Sequence, residues 1–199
     1  MTEIQKCDNI KVNLLRYPSD NDWLLVKQTA LSTIWKKSNN PPSADWRMKI
    51  LASEHSPIRQ LSYTWEWVNL PYWVSVHLVR HKFGIEHFVS SQRNDKQDMY
   101  DRNKAPQDSP VTHRATANAQ TIMNISKKRL CNCASLETIK AWELFLESIK
   151  EVSPELYKLC VPNCVYRGGI CTEFNSCGFN KTEFFKTKLQ NYINMIEVK

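Results

Sequence analysis

Residues 60 to 68 alternate large apolar side chains with polar ones: Leu61, Tyr63, Trp65 and Trp67 fall on one side, and Ser62, Thr64 and Glu66 on the other. Successive side chains of a strand point to opposite faces, so this period of two predicts a half-buried β-strand with two indoles and a phenol facing inward. The alternation by itself accounts for Trp65 and Trp67 as core residues. They are therefore not read as a platform for stacking bases.

The remaining segments read mostly as helices and polar connections. Asp20-Asn21-Asp22 caps an amphipathic stretch over 20 to 36, which the Asn39-Asn40-Pro41-Pro42-Ser43 run breaks. A second helix is predicted from Ala44 to Ser53. Pro71 suits the first turn of a helix running to Arg80, with Trp73, Val76, His77 and Arg80 on one face. Residues 93 to 113 are almost wholly polar, with Pro106 and Pro110 as breakers, and read as a loop. Helices follow from Ala115 to Arg129, Ser135 to Val152 and Lys181 to Ile196, the last two separated by a Cys- and Gly-bearing loop from Pro162 to Gly178. No repeat or second domain is evident, so one domain is expected over 1–199, carrying a polar loop at 94–113 and a Cys-rich segment at 160–178.

Composition excludes several function classes. The four glycines form neither GxGxxG nor a Walker loop, so any phosphate would be held by side chains and helix N-termini. A net charge of +7, spread along the chain, suits a polyanionic or small anionic partner. The longest apolar run, Leu70 to Val79, is interrupted by Ser75 and His77, so no membrane span is expected. The first residues lack the apolar region of a signal peptide, which points to a cytoplasmic protein. Seven cysteines in that setting are expected as thiols. The Cys160, Cys164, Cys171, Cys177 series is loose for zinc and lacks a CxxC pair, so buried or free thiols are the expectation and no metal ligand is assigned.

The densest polar stretch runs from Arg80-His81-Lys82 through Glu86 and His87 to Ser90-Ser91-Gln92-Arg93. Guanidinium groups bind phosphate through two hydrogen bonds, and hydroxyls, amides and imidazoles satisfy what remains. A solvated charged loop is the alternative reading of these residues taken alone.

In context the layout resembles the flavin-dependent thymidylate synthases. Their signature is Arg-His-Arg, seven residues and Ser; here it stands as Arg80-His81-Lys82, Phe83 to Val89, Ser90. His55-Ser56-Pro57 precedes it by about two dozen residues, followed by the aromatic strand and the Pro71 helix. Asn118, Asn124 and Arg129 follow it at the family's spacing. The resemblance implies an α+β fold with a central, mostly antiparallel sheet flanked by helices, and a homotetramer with shared active sites. It assigns FAD contacts to His55, Ser56, Arg80, His81, Lys82, Glu86, Asn118 and Asn124. Contacts to dUMP or a related pyrimidine nucleotide fall to His77, Arg80, Glu86, Ser90, Ser91, Arg93 and Arg129, with Arg129 as the catalytic group polarising the uracil. The implied reaction is reductive methylation of dUMP to dTMP, with methylenetetrahydrofolate and NADPH as cosubstrates. Cys131 and Cys133 lack the Pro-Cys-His context of the cysteine-dependent synthases and are read as helix-surface or core thiols.

The chain departs from the family pattern in several places. Lys82 keeps the charge of the second signature Arg but loses its fork. Two registers end the signature, one at Ser90 and one at the Ser91-Gln92-Arg93 triplet; the second gives Arg93 a phosphate to bind. Arg102 and Arg114 are candidates for a further phosphate arginine. The alternatives to thymidylate synthesis are one-carbon modification of another pyrimidine nucleotide, such as hydroxymethylation, and a non-catalytic nucleotide- or nucleic-acid-binding relative.

Overall fold

The computed structural model describes residues 9–96 and 101–197. Among these residues the order is β1 (Lys11–Arg16), α1 (Asp20–Ser32), α2 (Ala44–Ala52), a 3-10 turn (Ser56–Gln60), β2 (Ser62–Pro71), α3 (Tyr72–Leu78), β3 (Ile85–Val89) and β4 (Pro110–Asn118). Then come α4 (Ala119–Arg129), α5 (Leu136–Ile149), α6 (Pro154–Leu159), α7 (Asn163–Tyr166), a second 3-10 turn (Phe179–Lys181) and α8 (Glu183–Ile196). The strands form one sheet in the order β1-β2-β4-β3, antiparallel throughout, so the architecture is the expected α+β class.

The aromatic strand is β2, and its burial alternates as its sequence does. Its neighbour β4 corrects the sequence reading, which placed loop up to 113 and helix from Ala115. Cross-strand register explains the difference: Tyr63 faces Ala117, Trp65 faces Ala115 and Trp67 faces His113. The bulky side chains of β2 fill the space, so β4 needs only small ones there, and an Ala-containing strand reads as helix. The edge strands β1 and β3 also went unpredicted. Their short, half-exposed faces carry little periodic signal.

Helix boundaries were closer to expectation. Ser19 and Asp22 form a reciprocal capping box at the start of α1, which ends at Ser32 rather than at 36. The helix after Pro71 ends at Leu78, so Arg80 lies outside it. Ser153 and Pro154 separate α6 from α5, and the Ser153 hydroxyl meets the Tyr63 hydroxyl at 2.9 Å.

The core forms where α5 crosses the inner face of the sheet. Trp65 stacks on Phe145 with ring centroids 3.9 Å apart. Trp67 Nε1 donates to the Ala141 carbonyl at 2.7 Å, and Trp142 Nε1 donates to Ser126 Oγ at 2.9 Å. All three indoles are fully buried, each contributing roughly 2–3 kcal/mol of apolar transfer. The other sheet face carries polar ladders, including a Thr64–Thr116 hydroxyl pair and the Asn13–Glu66–Arg114 set. Among the described residues no helix is long and apolar enough to cross a membrane.

Candidate functional site

Both ends of helix α4 brace the first residues of the signature segment. At its N-terminus, Asn118 is the cap, accepting from the Thr121 amide at 3.0 Å. Thr121 Oγ1 in turn donates to the Phe83 carbonyl at 3.3 Å. Gly84 fits this junction because its φ is +72°, and a Cβ there would lie 2.2 Å from Thr121 Oγ1. At the other end of α4, Arg129 donates from Nε to His81 Nε2 at 2.8 Å and from Nη2 to the His77 carbonyl at 2.6 Å. His77 Nδ1 lies 3.1 Å from Thr138 Oγ1, which ties α3 to α5.

A second contact runs inward from His81. Its carbonyl can only accept, so His87 Nε2, 2.9 Å away, carries the proton. Neutral His87 then accepts at Nδ1, and His113 donates from Nε2 across 2.9 Å. His113 is fully buried, and its Nδ1 has no partner. Burial, with the neighbouring His87, pushes His113 down to about 3. His81 falls to about 4 through burial, Arg129 and His87. His77 is lowered by burial and by Arg129 and Arg80, and His87 by burial. These rings are therefore neutral at pH 7, with a defined pattern of donors and acceptors.

Arg129 is itself partly buried, and its pKa is lowered by burial and then by Arg80. Two guanidinium groups thus act on one another beside His77. Among the described residues neither Arg80 nor Lys82 has an ion-pair partner. The two guanidinium groups beside His77, where Glu137 is the carboxylate whose charge also reaches the ring, fit an anionic ligand.

The remaining predicted site residues are distributed as follows. His55 and Ser56 are exposed at the start of the first 3-10 turn. Beside them Glu54, at φ +50°, accepts from Gln120 and binds Lys127 Nζ at 3.0 Å; Lys127 also donates to Asn124 Oδ1 at 3.1 Å. This brings the His55-Ser56 turn against the Asn124 side of α4. It also draws Lys127 off the surface, leaving its side chain only 15% exposed. Lys128 does remain on the surface, paired with Glu173.

Three predicted groups lie apart from Arg129. Glu86 is exposed on the outer sheet face, opposite Thr116, whereas His87 points inward. The Ser90 hydroxyl closes the sheet edge, accepting from the Thr112 amide at 2.7 Å and donating to its carbonyl at 2.9 Å. Arg93 is forked onto Asp95 at 2.9 and 2.6 Å in solvent, and its amide donates to Ser91 Oγ. Arg114 is bound to Glu66. Sequence reasoning left out His87 and His113; the only signal for His113 was its inward position on a strand that read as loop.

No protein-family model matches the chain, and no curated protein matches it. Solved structures do. Thymidylate synthase X (ThyX) from Helicobacter pylori, determined with FAD and dUMP, superposes with a TM-score of 0.61 at 13% identity, over 76% of this chain and 99% of that one. A second structure of flavin-dependent ThyX from the same organism, also with FAD and dUMP, gives 0.60 at 14% identity, with the same coverage. The UMP/dUMP methylase PolB from Streptomyces cacaoi, bound to 5-Br dUMP, gives 0.57 at 16% identity, over 76% of this chain and 94% of that one. The chain shares the fold of these ThyX and ThyX-like enzymes.

Proposed function

We propose that this protein is a flavin-dependent enzyme that methylates dUMP to dTMP, drawing the carbon from methylenetetrahydrofolate and electrons from NADPH. The observation that carries this reading is the convergence of Arg129 with Arg80, His77 and His81 on an enzyme fold whose solved members hold pyrimidine nucleotides. These guanidinium groups fit the charge of both FAD and a nucleotide monophosphate. His55, Ser56, Arg80, His81, Lys82, Asn118 and Asn124 would hold FAD, with Glu86 contributing from the outer sheet face. His77, Arg80, Ser91, Arg93 and Arg129 would hold the nucleotide, with Ser91-Gln92-Arg93 as its phosphate triplet once Arg93 exchanges its exposed Asp95 partner for the phosphate. When bound, the flavin supplies the hydride that completes reduction of the transferred carbon.

The protein's own part is binding and electrostatics. Arg129 spends its Nε on His81 and Nη2 on the His77 carbonyl, which fixes the guanidinium plane and leaves Nη1 to meet developing negative charge on the pyrimidine. Neutral His81 accepts from Arg129 and adds no competing positive charge. Shared sites in a homotetramer would bring Glu86 and the exposed cations of neighbouring chains into one pocket. The purified protein is expected to be yellow, and dUMP is expected to shift its flavin absorption bands. A protein that binds no added flavin overturns the reading.

The next reading is a different pyrimidine nucleotide as acceptor, since one structural neighbour is a methylase of UMP as well as dUMP. Tritium release from 5-labelled dUMP, compared with dCMP, separates the two.

A further inference from the structure

The segment from Tyr166 to Gly178 buries no residue, and Ile170 and Phe174 point into solvent at 65% and 103% exposure. Such a segment has no core of its own, yet it lies in register against the loop that follows α4. Its polar ties there are the Lys128–Glu173 pair at 2.9 Å, to the last turn of α4, and a Cys133 Sγ contact to the Asn175 carbonyl at 3.5 Å, to the loop beyond it. Exposed ties of this kind contribute little. Chain segments without a hydrophobic core are held by disulfides or metals.

Cysteines converge at this junction from three separate parts of the chain. Cys131, Cys164, Cys171 and Cys177 line one space of about 10 Å³, which admits a single water-sized body. Cys133 also lies in hydrogen-bonding contact with Cys131 and Cys177, but faces outward. All six described cysteines are free thiols.

We infer that Cys131, Cys164, Cys171 and Cys177 form a structural site for a thiophilic divalent cation of the zinc class. Four thiolates from the loop after α4, from α7 and from the coreless segment would make a closed tetrahedral set, each thiol releasing its proton to solvent. With the side chains as they stand, no group of three or more His, Cys, Asp or Glu among the described residues could hold a metal ion. Closing the set therefore requires the four half-buried or exposed side chains to turn between staggered positions about their Cα–Cβ bonds when the ion enters. The ion would pin the chain two residues beyond Arg129, and so bears on the orientation of that guanidinium. This inference is independent of which nucleotide the protein methylates.

Full-length protein grown with added zinc and purified without chelator is expected to carry about one zinc per chain by mass spectrometry. Cys171→Ser and Cys177→Ser are expected to lose it, while Cys133→Ser keeps it. Because a ligand variant can fail to fold, wild-type protein stripped under reducing conditions is also refilled with Co²⁺, where strong sulfur-to-cobalt charge-transfer absorption is expected. Wild-type protein that carries no metal and shows no such band overturns the site. So does thiol titration of the unfolded chain that finds these cysteines joined as disulfides. Loss of metal in Cys133→Ser as complete as in Cys171→Ser overturns the ligand assignment.

Discussion

Arg129 and His81, 48 residues apart in sequence, meet through an Nε–H···Nε2 hydrogen bond of 2.8 Å. The bond uses the acceptor nitrogen of a ring kept neutral by burial, so the positive charge of the pair stays on the guanidinium. Lysine has no planar fork and cannot serve His81, the His77 carbonyl and a ligand together. Arg129→Lys is therefore expected to fold but to lose about 10²–10³-fold in kcat/KM, the usual effect of removing a donor to developing charge. Tritium release from 5-labelled dUMP, measured alongside the melting temperature, checks this.

Gly84 is the tightest point of the signature loop. Alanine there meets both an unfavourable φ of +72° and the Thr121 hydroxyl. Gly84→Ala should cost about 1–3 kcal/mol. In a chain of this size that lowers the melting temperature by roughly 3–10 °C. Thr121→Ala in the same chain removes the clash but not the backbone strain, and should recover only part of the loss.

The four lowered histidines, His77, His81, His87 and His113, make stability depend on pH in a definite direction. Their folded pKa values lie below the unfolded value of 6.5, so between the two the unfolded chain binds more protons. The contribution is complete above 6.5 and is lost as pH falls toward about 4 for His81 and about 3 for His113. Carboxylates such as Asp22 and Glu54 add their own loss only at the lower end of this range, where their ordinary values of 3.8 and 4.5 lie. Urea unfolding between pH 6.5 and 4.5 should therefore show falling stability, at up to about 1.4 kcal/mol per pH unit for each proton taken up. His113→Phe should flatten that slope.

Two core indoles should differ in their tolerance of phenylalanine. The buried Trp65 Nε1 has no acceptor, whereas Trp67 Nε1 donates to the Ala141 carbonyl. Trp67→Phe is expected to cost about 1 kcal/mol more than Trp65→Phe, because it alone removes a hydrogen bond. Denaturation midpoints of the two variants give the comparison.

Local chemistry made much of this protein legible. The alternation from Leu61 to Trp67 announced β2, and Pro71 placed the start of α3 within a residue. The order of His55, Arg80-His81-Lys82, Asn118, Asn124 and Arg129 marked the segments that the fold gathers at α4. These features depend on neighbours a few residues away, which the sequence states directly.

Other features depend on partners distant in the chain. Ala115 and Ala117 belong to a strand only because Trp65 and Tyr63 lie opposite them. His113 is a neutral core residue because burial disfavours its charged form and His87 supplies its acceptor, and Arg80 leaves its helix because α3 stops at Leu78. The Cys160, Cys164, Cys171, Cys177 series, loosely spaced and without a CxxC pair, gave no reason to include Cys131; folding brings Cys131, Cys164, Cys171 and Cys177 to one cavity. The sequence alone determined the aromatic strand and the order of the site's segments. Register, tautomers and long-range convergence were decided by tertiary packing, because each is a property of pairs that the linear chain does not place side by side.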